Sequence, residues 1–156
     1  MTPEAVVAEA RRWLGTPYAH QASVRGAGCD CLGLVRGLWR ALVGPEPEPV
    51  PPYTPDWGEP AGEELLLAAA MRRLRPLGAG GDVRPGEILL FRIRAGRVAK
   101  HLGVASGPAR FIHAHAARGV VESSLSRPWR QRIVGRFALP GVRWPGEAAD
   151  GHQILG

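Results

Sequence analysis

Gly28-Cys29-Asp30-Cys31-Leu32-Gly33-Leu34-Val35 sets an aspartate and a cysteine where a polar loop gives way to an apolar helical pattern. Leu34, Leu38 and Leu42 recur every four residues, with Val35 and Trp39 beside them, and this predicts a helix over 31–43. Asp30 is placed to cap that helix. Cys31 then opens it, where unpaired N–H groups and the positive end of the helix dipole favour a thiolate over a thiol. The thiolate is the nucleophile, and the same N–H groups can later receive an oxyanion. A cysteine nucleophile needs a base, commonly a histidine that the fold brings near. Lys100-His101-Leu102-Gly103-Val104 supplies one candidate, and Arg110-Phe111-Ile112-His113-Ala114 a second.

Upstream, Thr2 reads as an N-cap with Pro3 at the first helical position. Val6, Ala10 and Trp13 fall on one face, and Gly15 ends that helix. Residues 15–29 read as a loop crossing the site. Gly33 and Gly37 each weaken a helix by ~1 kcal/mol relative to alanine, so close packing against another element is expected there. Downstream, Pro45-Glu46-Pro47-Glu48-Pro49-Val50-Pro51-Pro52 is expected to be an extended surface loop. A third helix fits 61–75, with Glu63 and Glu64 early and Arg72, Arg73 and Arg75 late, as the dipole prefers. Residues 76–86 are turn-rich. The period then changes, and 87–93, 101–106, 110–115, 119–123 and 132–139 read as short strands. Helices first and strands afterwards indicate the α+β class.

The 156 residues suit one domain, read as 1–140 with a C-terminal tail over 141–156. The net charge is +6, carried by scattered arginines with Lys100 the lone lysine, and no nucleic-acid motif accompanies it. No run of eighteen apolar residues exists, so no membrane span is expected. No secretory signal pattern is visible at Met1-Thr2-Pro3-Glu4-Ala5, which predicts synthesis in the cytoplasm. Cys29 and Cys31 are too few for a disulfide framework and too close for an unstrained bridge. A zinc module drawn from Cys29, Cys31, His113 and His115 remains a chemical alternative. His20 and His152 have no such context and read as surface residues.

The order of these parts resembles the NlpC family of papain-like cysteine peptidases, which cut peptidoglycan stem peptides. Its pieces are Leu14-Gly15-Thr16-Pro17-Tyr18, Asp30-Cys31-x-Gly33-Leu34-Val35, Pro85-Gly86-Glu87-Ile88-Leu89-Leu90-Phe91, His101-Leu102-Gly103-Val104 and Phe111-Ile112-His113-Ala114. Residues from Tyr18 to Trp39 are most similar to a subgroup attached to phage tails and gene transfer agents. The resemblance implies a papain-like α+β fold, with N-terminal helices packed on an antiparallel sheet of about five strands. It implies Cys31 as nucleophile, His101 as general base and His113 as the residue that orients it. His115 lies two residues on and shares the strand face of His113. Tyr18 resembles the family's active-site tyrosine, near the oxyanion or substrate, and Asp30 could also hold a substrate cation.

No metal or cofactor is implied. The implied substrate is the stem peptide, cut between D-glutamate, through its γ-carboxyl, and the diamino acid. The implied setting is a phage-like particle acting on the cell wall, with tail or baseplate proteins as partners. Three alternatives stay open: an amidase cutting between glycan and L-alanine, an acyltransferase on the same scaffold, and a structural tail component. One departure stands out. Most relatives read Asp-Cys-Ser-Gly where this chain has Leu32, and in relatives that demand a free L-alanine amine the aspartate and serine help hold the ammonium. The leucine predicts that no free stem N-terminus is required.

Overall fold

The structure is a computed structural model, which describes residues 1–57 and 62–147. Helix α1 (Pro3–Arg11) begins as expected, with Thr2 Oγ1 accepting from the N–H of Ala5 at 3.1 Å. Helix α2 (Cys31–Leu42) follows a small ribbon of β1 (Ser23–Val24) and β2 (Gly28–Cys29). The expected loop over 15–29 therefore holds paired backbone. Tyr18 also bridges to Cys29 in parallel, through Cys29 N–H to Pro17 O and Ala19 N–H to Cys29 O, each 3.0 Å.

Both helical glycines have a packing reason. A Cβ built at Gly37 would sit 2.0 Å from Cζ2 of Trp13, and one at Gly33 would sit 1.8 Å from the carbonyl oxygen of Ala22. The first contact seats the turn that ends α1 on α2. The second holds the 19–22 turn against the start of α2, beside Cys31.

Helix α3 spans Leu65–Arg73, shorter than the expected 61–75, and residue 61 lies outside the described residues. Glu64 precedes the helix and does not cap it. Its carboxylate instead accepts from the N–H of Ala99 at 2.9 Å and from Arg92 at 3.2 Å. Arg75 and Pro76 form a short strand, β3, because proline drives the residue before it into extended geometry.

The main sheet has six strands in the order β3-β8-β4-β5-β6-β7, every pair antiparallel. The five expected strands are β4 (Ile88–Arg92), β5 (Ala99–Gly107), β6 (Arg110–His115), β7 (Gly119–Ser124) and β8 (Ile133–Ala138). Between β7 and β8 lies α4 (Arg127–Gln131), a turn of helix opened by Ser126 and Pro128.

Central strand β4 is buried on both faces. Ile88 and Leu90 join the core beneath the helices, while Leu89 and Phe91 join a second cluster with Phe111, Leu125 and Trp129. A buried ion pair ties this sheet together. Arg136 donates to Glu87 at 2.7 and 2.9 Å, and its remaining N–H groups reach the carbonyls of residues 79–82.

The core continues past residue 140, where a period was not legible. Val142 and Trp144 are buried, Trp144 Nε1 donates to Pro85 O at 2.9 Å, and Arg75 pairs with Glu147 at 2.7 Å. Residues 148–156, His152 among them, lie outside the described residues.

Candidate active site

Cys31 begins α2, while His101 lies on β5 and His113 on β6. The fold brings all three into the lining of one cleft of about 270 Å³, together with Tyr18, Asp30 and Tyr53. Cys31 and His113 are nearly enclosed, at 8% and 2% exposure. Nε2 of His101 lies 2.8 Å from Nδ1 of His113. His101 therefore has only Nδ1 left for any other partner. His113 is held in turn by Ser123 Oγ, 2.9 Å from its Nε2, and by Phe111 stacked against its ring at 4.2 Å. Gly103 makes that stack possible, since a Cβ there would meet Phe111 at 2.8 Å.

Asp30 is the N-cap of α2. Its Oδ1 accepts from the N–H of Gly33 at 2.7 Å, and its Oδ2 from the N–H of Gln21 at 2.7 Å and from the hydroxyl of Tyr53. Tyr53 comes from the proline-rich segment, an extended strap on the surface. Arg36 and Arg40 hold the strap through Glu46, and Tyr53 stacks on Trp57 at 4.2 Å. His20 is exposed, as expected, yet it lines the cleft. Its Nε2 lies 3.0 Å from Tyr53 O and its Nδ1 3.7 Å from Asp30.

Trp129 of α4 packs against both catalytic-candidate imidazoles, 5.7 Å from the ring of His101 and 5.4 Å from that of His113. Sequence reasoning missed Tyr53, Trp57, Ser123 and Trp129. Only Trp129 had a local signal, in the Ser126-Arg127-Pro128 helix start. His115 shares the cleft but is turned into its own loop, with Nδ1 accepting from the N–H of Ala117 at 3.1 Å.

The electrostatics correct the expected resting thiolate. Burial pushes the Cys31 thiol up to about 12, and the Asp30 carboxylate adds to the effect. N–H groups of Leu102, Leu32 and Cys31 itself pull the other way without prevailing. Burial pulls His101 down to about 3, with His113 and His115 contributing. Burial likewise pulls His113 down to about 4, with His115 and Arg118 contributing. Both shifts favour the uncharged forms, a thiol and a neutral imidazole. The thiol points to the carbonyl of Lys100 at 3.9 Å. Enclosure and a neighbouring carboxylate have outweighed the helix N-terminus. The Tyr18 hydroxyl is pushed up too, by burial and then by Cys31 and Asp30.

A labelling experiment checks the sign. A raised thiol pKa shrinks the reactive thiolate fraction at every pH below it, and that fraction grows about tenfold per pH unit. Iodoacetamide should therefore modify Cys31 at a rate still climbing beyond pH 9, the ordinary thiol value. Cys29, with no exposed surface, should stay unmodified in the folded protein. A plateau in the Cys31 rate below about pH 8 would show a stabilised thiolate instead.

The zinc alternative finds no support in the geometry. Among the described residues no three His, Cys, Asp or Glu side chains are grouped to hold a metal ion. Both cysteines are free. No helix among the described residues is long and apolar enough to cross a membrane.

A helix that carries a cysteine and an antiparallel sheet that carries two histidines line one cleft, an α+β architecture. The chain has the NlpC/P60 fold. It superposes on the NlpC/p60 domain of the peptidoglycan hydrolase SagA with a TM-score of 0.56 and 21% identity, over 89% of this chain and 100% of that one. In sequence it is similar to gamma-DL-glutamyl hydrolase of Bacillus subtilis (strain 168), 28% identical over 91% of this chain and 30% of that protein. It is also similar to murein DD-endopeptidase MepS/murein LD-carboxypeptidase of Escherichia coli (strain K12), 30% identical over 77% of this chain and 54% of that protein. The chain thus spans about half or less of these relatives. No protein-family model matches the sequence.

Proposed function

We propose that this chain is a cysteine endopeptidase of the peptidoglycan stem peptide. The 2.8 Å contact of His101 with His113, in the cleft that Cys31 lines, carries the reading. His113 occupies one nitrogen of His101 and leaves the other as a base. As the substrate carbonyl approaches Sγ, His101 takes the thiol proton and Sγ bonds to carbon. The developing oxyanion is met by the N–H groups of Cys31 and Leu32, beside the sulfur, and by Tyr18. The amine leaves with the proton from His101, and water then releases the acid from the acyl-enzyme.

The proposed bond joins D-glutamate, through its γ-carboxyl, to the diamino acid. One relative is named a gamma-DL-glutamyl hydrolase, which supports a γ-glutamyl amide as the class of bond. The proposed setting is a phage-like tail that carries the enzyme to the wall, for which the sequence from Tyr18 to Trp39 is the support.

The committed state of Asp30 supports a specificity for peptide still joined to glycan. Its carboxylate is nearly enclosed and already accepts three donors from the chain itself. Leu32 offers no side-chain hydrogen bond. A substrate ammonium placed there would lack partners, a deficit of ~1–3 kcal/mol. The test compares purified sacculi with free L-Ala-γ-D-Glu-diamino acid peptide, with the products read by mass spectrometry. Sacculi should be opened at the γ-glutamyl bond at least as fast as the free peptide is cut. Cleavage of free peptide alone would overturn the specificity, and release of intact stem peptides from glycan would make the enzyme an amidase.

A further inference from the structure

We propose that Ser123 is a positioning residue, the terminal acceptor of a one-way chain of hydrogen bonds that sets the proton on His101. The inference rests on the peptidase reading above for its kinetic part only. Ser123 lies on β7, opposite Phe111 of β6, and its Oγ is 2.9 Å from Nε2 of His113.

Proton bookkeeping fixes the direction. Nδ1 of His101 can take a thiol proton only if the ring's own proton is on Nε2. That N–H donates across the 2.8 Å contact, so Nδ1 of His113 must be bare. The proton of His113 then sits on Nε2 and donates to Ser123. Every N–H in the series has an acceptor, and the last acceptor is a hydroxyl.

The reverse polarity would have Ser123 donate, His113 donate to His101, and His101 turn an N–H toward the sulfur. Sulfur is a weak acceptor, so that arrangement leaves the last donor poorly matched and removes the base. The polarity matters most once Cys31 has given up its proton. His101 is then a cation with both nitrogens protonated, and only a bare Nδ1 on His113 can receive from it. His113 has 2% exposure, and Ser123 Oγ is the acceptor within reach of its Nε2–H. Trp129 and Phe111 pack against the His113 ring and hinder any rotation that would relieve a mismatch.

Two substitutions and two readouts test this. In Ser123→Ala, kcat on peptidoglycan should fall about tenfold with KM unchanged, the effect of one lost buried hydrogen bond. Ring ¹⁵N shifts should show His113 as the Nε2–H tautomer in the wild type and moving toward Nδ1–H in the variant. Ser123→Thr keeps the hydroxyl and suits a strand, so it should restore both readouts. Ser123→Ala with kcat within about twofold of wild type and an unchanged tautomer would overturn the proposal. Equal damage in the alanine and threonine variants, with no tautomer change, would also overturn it and show a packing role. The tautomer measurement needs no substrate, so it decides the chain of hydrogen bonds even where the assumed peptidoglycan activity fails.

Discussion

Cys31→Ala should lower the release of muropeptides from sacculi by at least about 10⁴-fold, while the fold survives. The covalent route needs an atom that bonds to the substrate carbon, and alanine has none. What remains is a shaped cleft with N–H groups for an oxyanion. The loss of one sulfur from a helix start should cost on the order of 1 kcal/mol of stability, since Asp30, not Cys31, caps α2. Cys29→Ala should keep most of the activity, because Cys29 is fully buried beneath the site. The reverse pattern would move the nucleophile to Cys29. His101→Ala should be nearly as damaging as losing the nucleophile, and His113→Ala milder. His115→Ala should be close to neutral, because its ring serves its own loop. A large loss at His115 with none at His113 would reassign the second histidine.

Glu87→Ala should be the most destabilising single change outside the cleft, by about 3–5 kcal/mol. Glu87 has no exposed surface, and Arg136 is 8% exposed. Removing the carboxylate leaves the enclosed guanidinium bonded to neutral carbonyls, with the charge of Asp82 nearby as a weaker counterweight. Arg84, 2.9 Å from the same carboxylate, loses its partner too. Urea titration should show a midpoint shift at unchanged slope. The thermal midpoint should fall by on the order of 10 °C for a chain of this size. Glu87→Gln keeps two acceptor lone pairs without the charge and should fall between. A loss under about 1 kcal/mol for Glu87→Ala would mean that water reaches Arg136 readily. Activity of any surviving folded fraction should be near normal, because the pair lies outside the lining of the cleft.

Much of the architecture was legible because its signals are local. The cap at Asp30, the leucine stripe behind Cys31 and the change to short alternating strands each lie within a dozen residues. The two glycines of α2 announced close packing but could not name Trp13 or Ala22, which only three-dimensional contact supplies. The expected third helix exceeds the observed one because Glu63, Glu64 and Arg75 match a dipole pattern. Glu64 is used instead for Ala99 and Arg92, and Pro76 converts Arg75 to strand.

The site was legible in its cysteine and histidines and not in its walls. Tyr53 and Trp57 come from a proline-rich stretch with no period, and Ser123 is an ordinary serine in a strand. The charge state was the other gap. A helix start argues for a thiolate, but the degree of enclosure that reverses the argument is a property of the whole fold.

That enclosure also governs how the molecule ages. Peroxides and disulfides react with thiolates, so a nucleophile held as a thiol with 8% exposure is slow to spoil. A sulfur held in this way becomes reactive only when its surroundings change enough to draw off its proton. A thiol exposed to air without reducing partners lasts longer for that latency than a sulfur that is always armed.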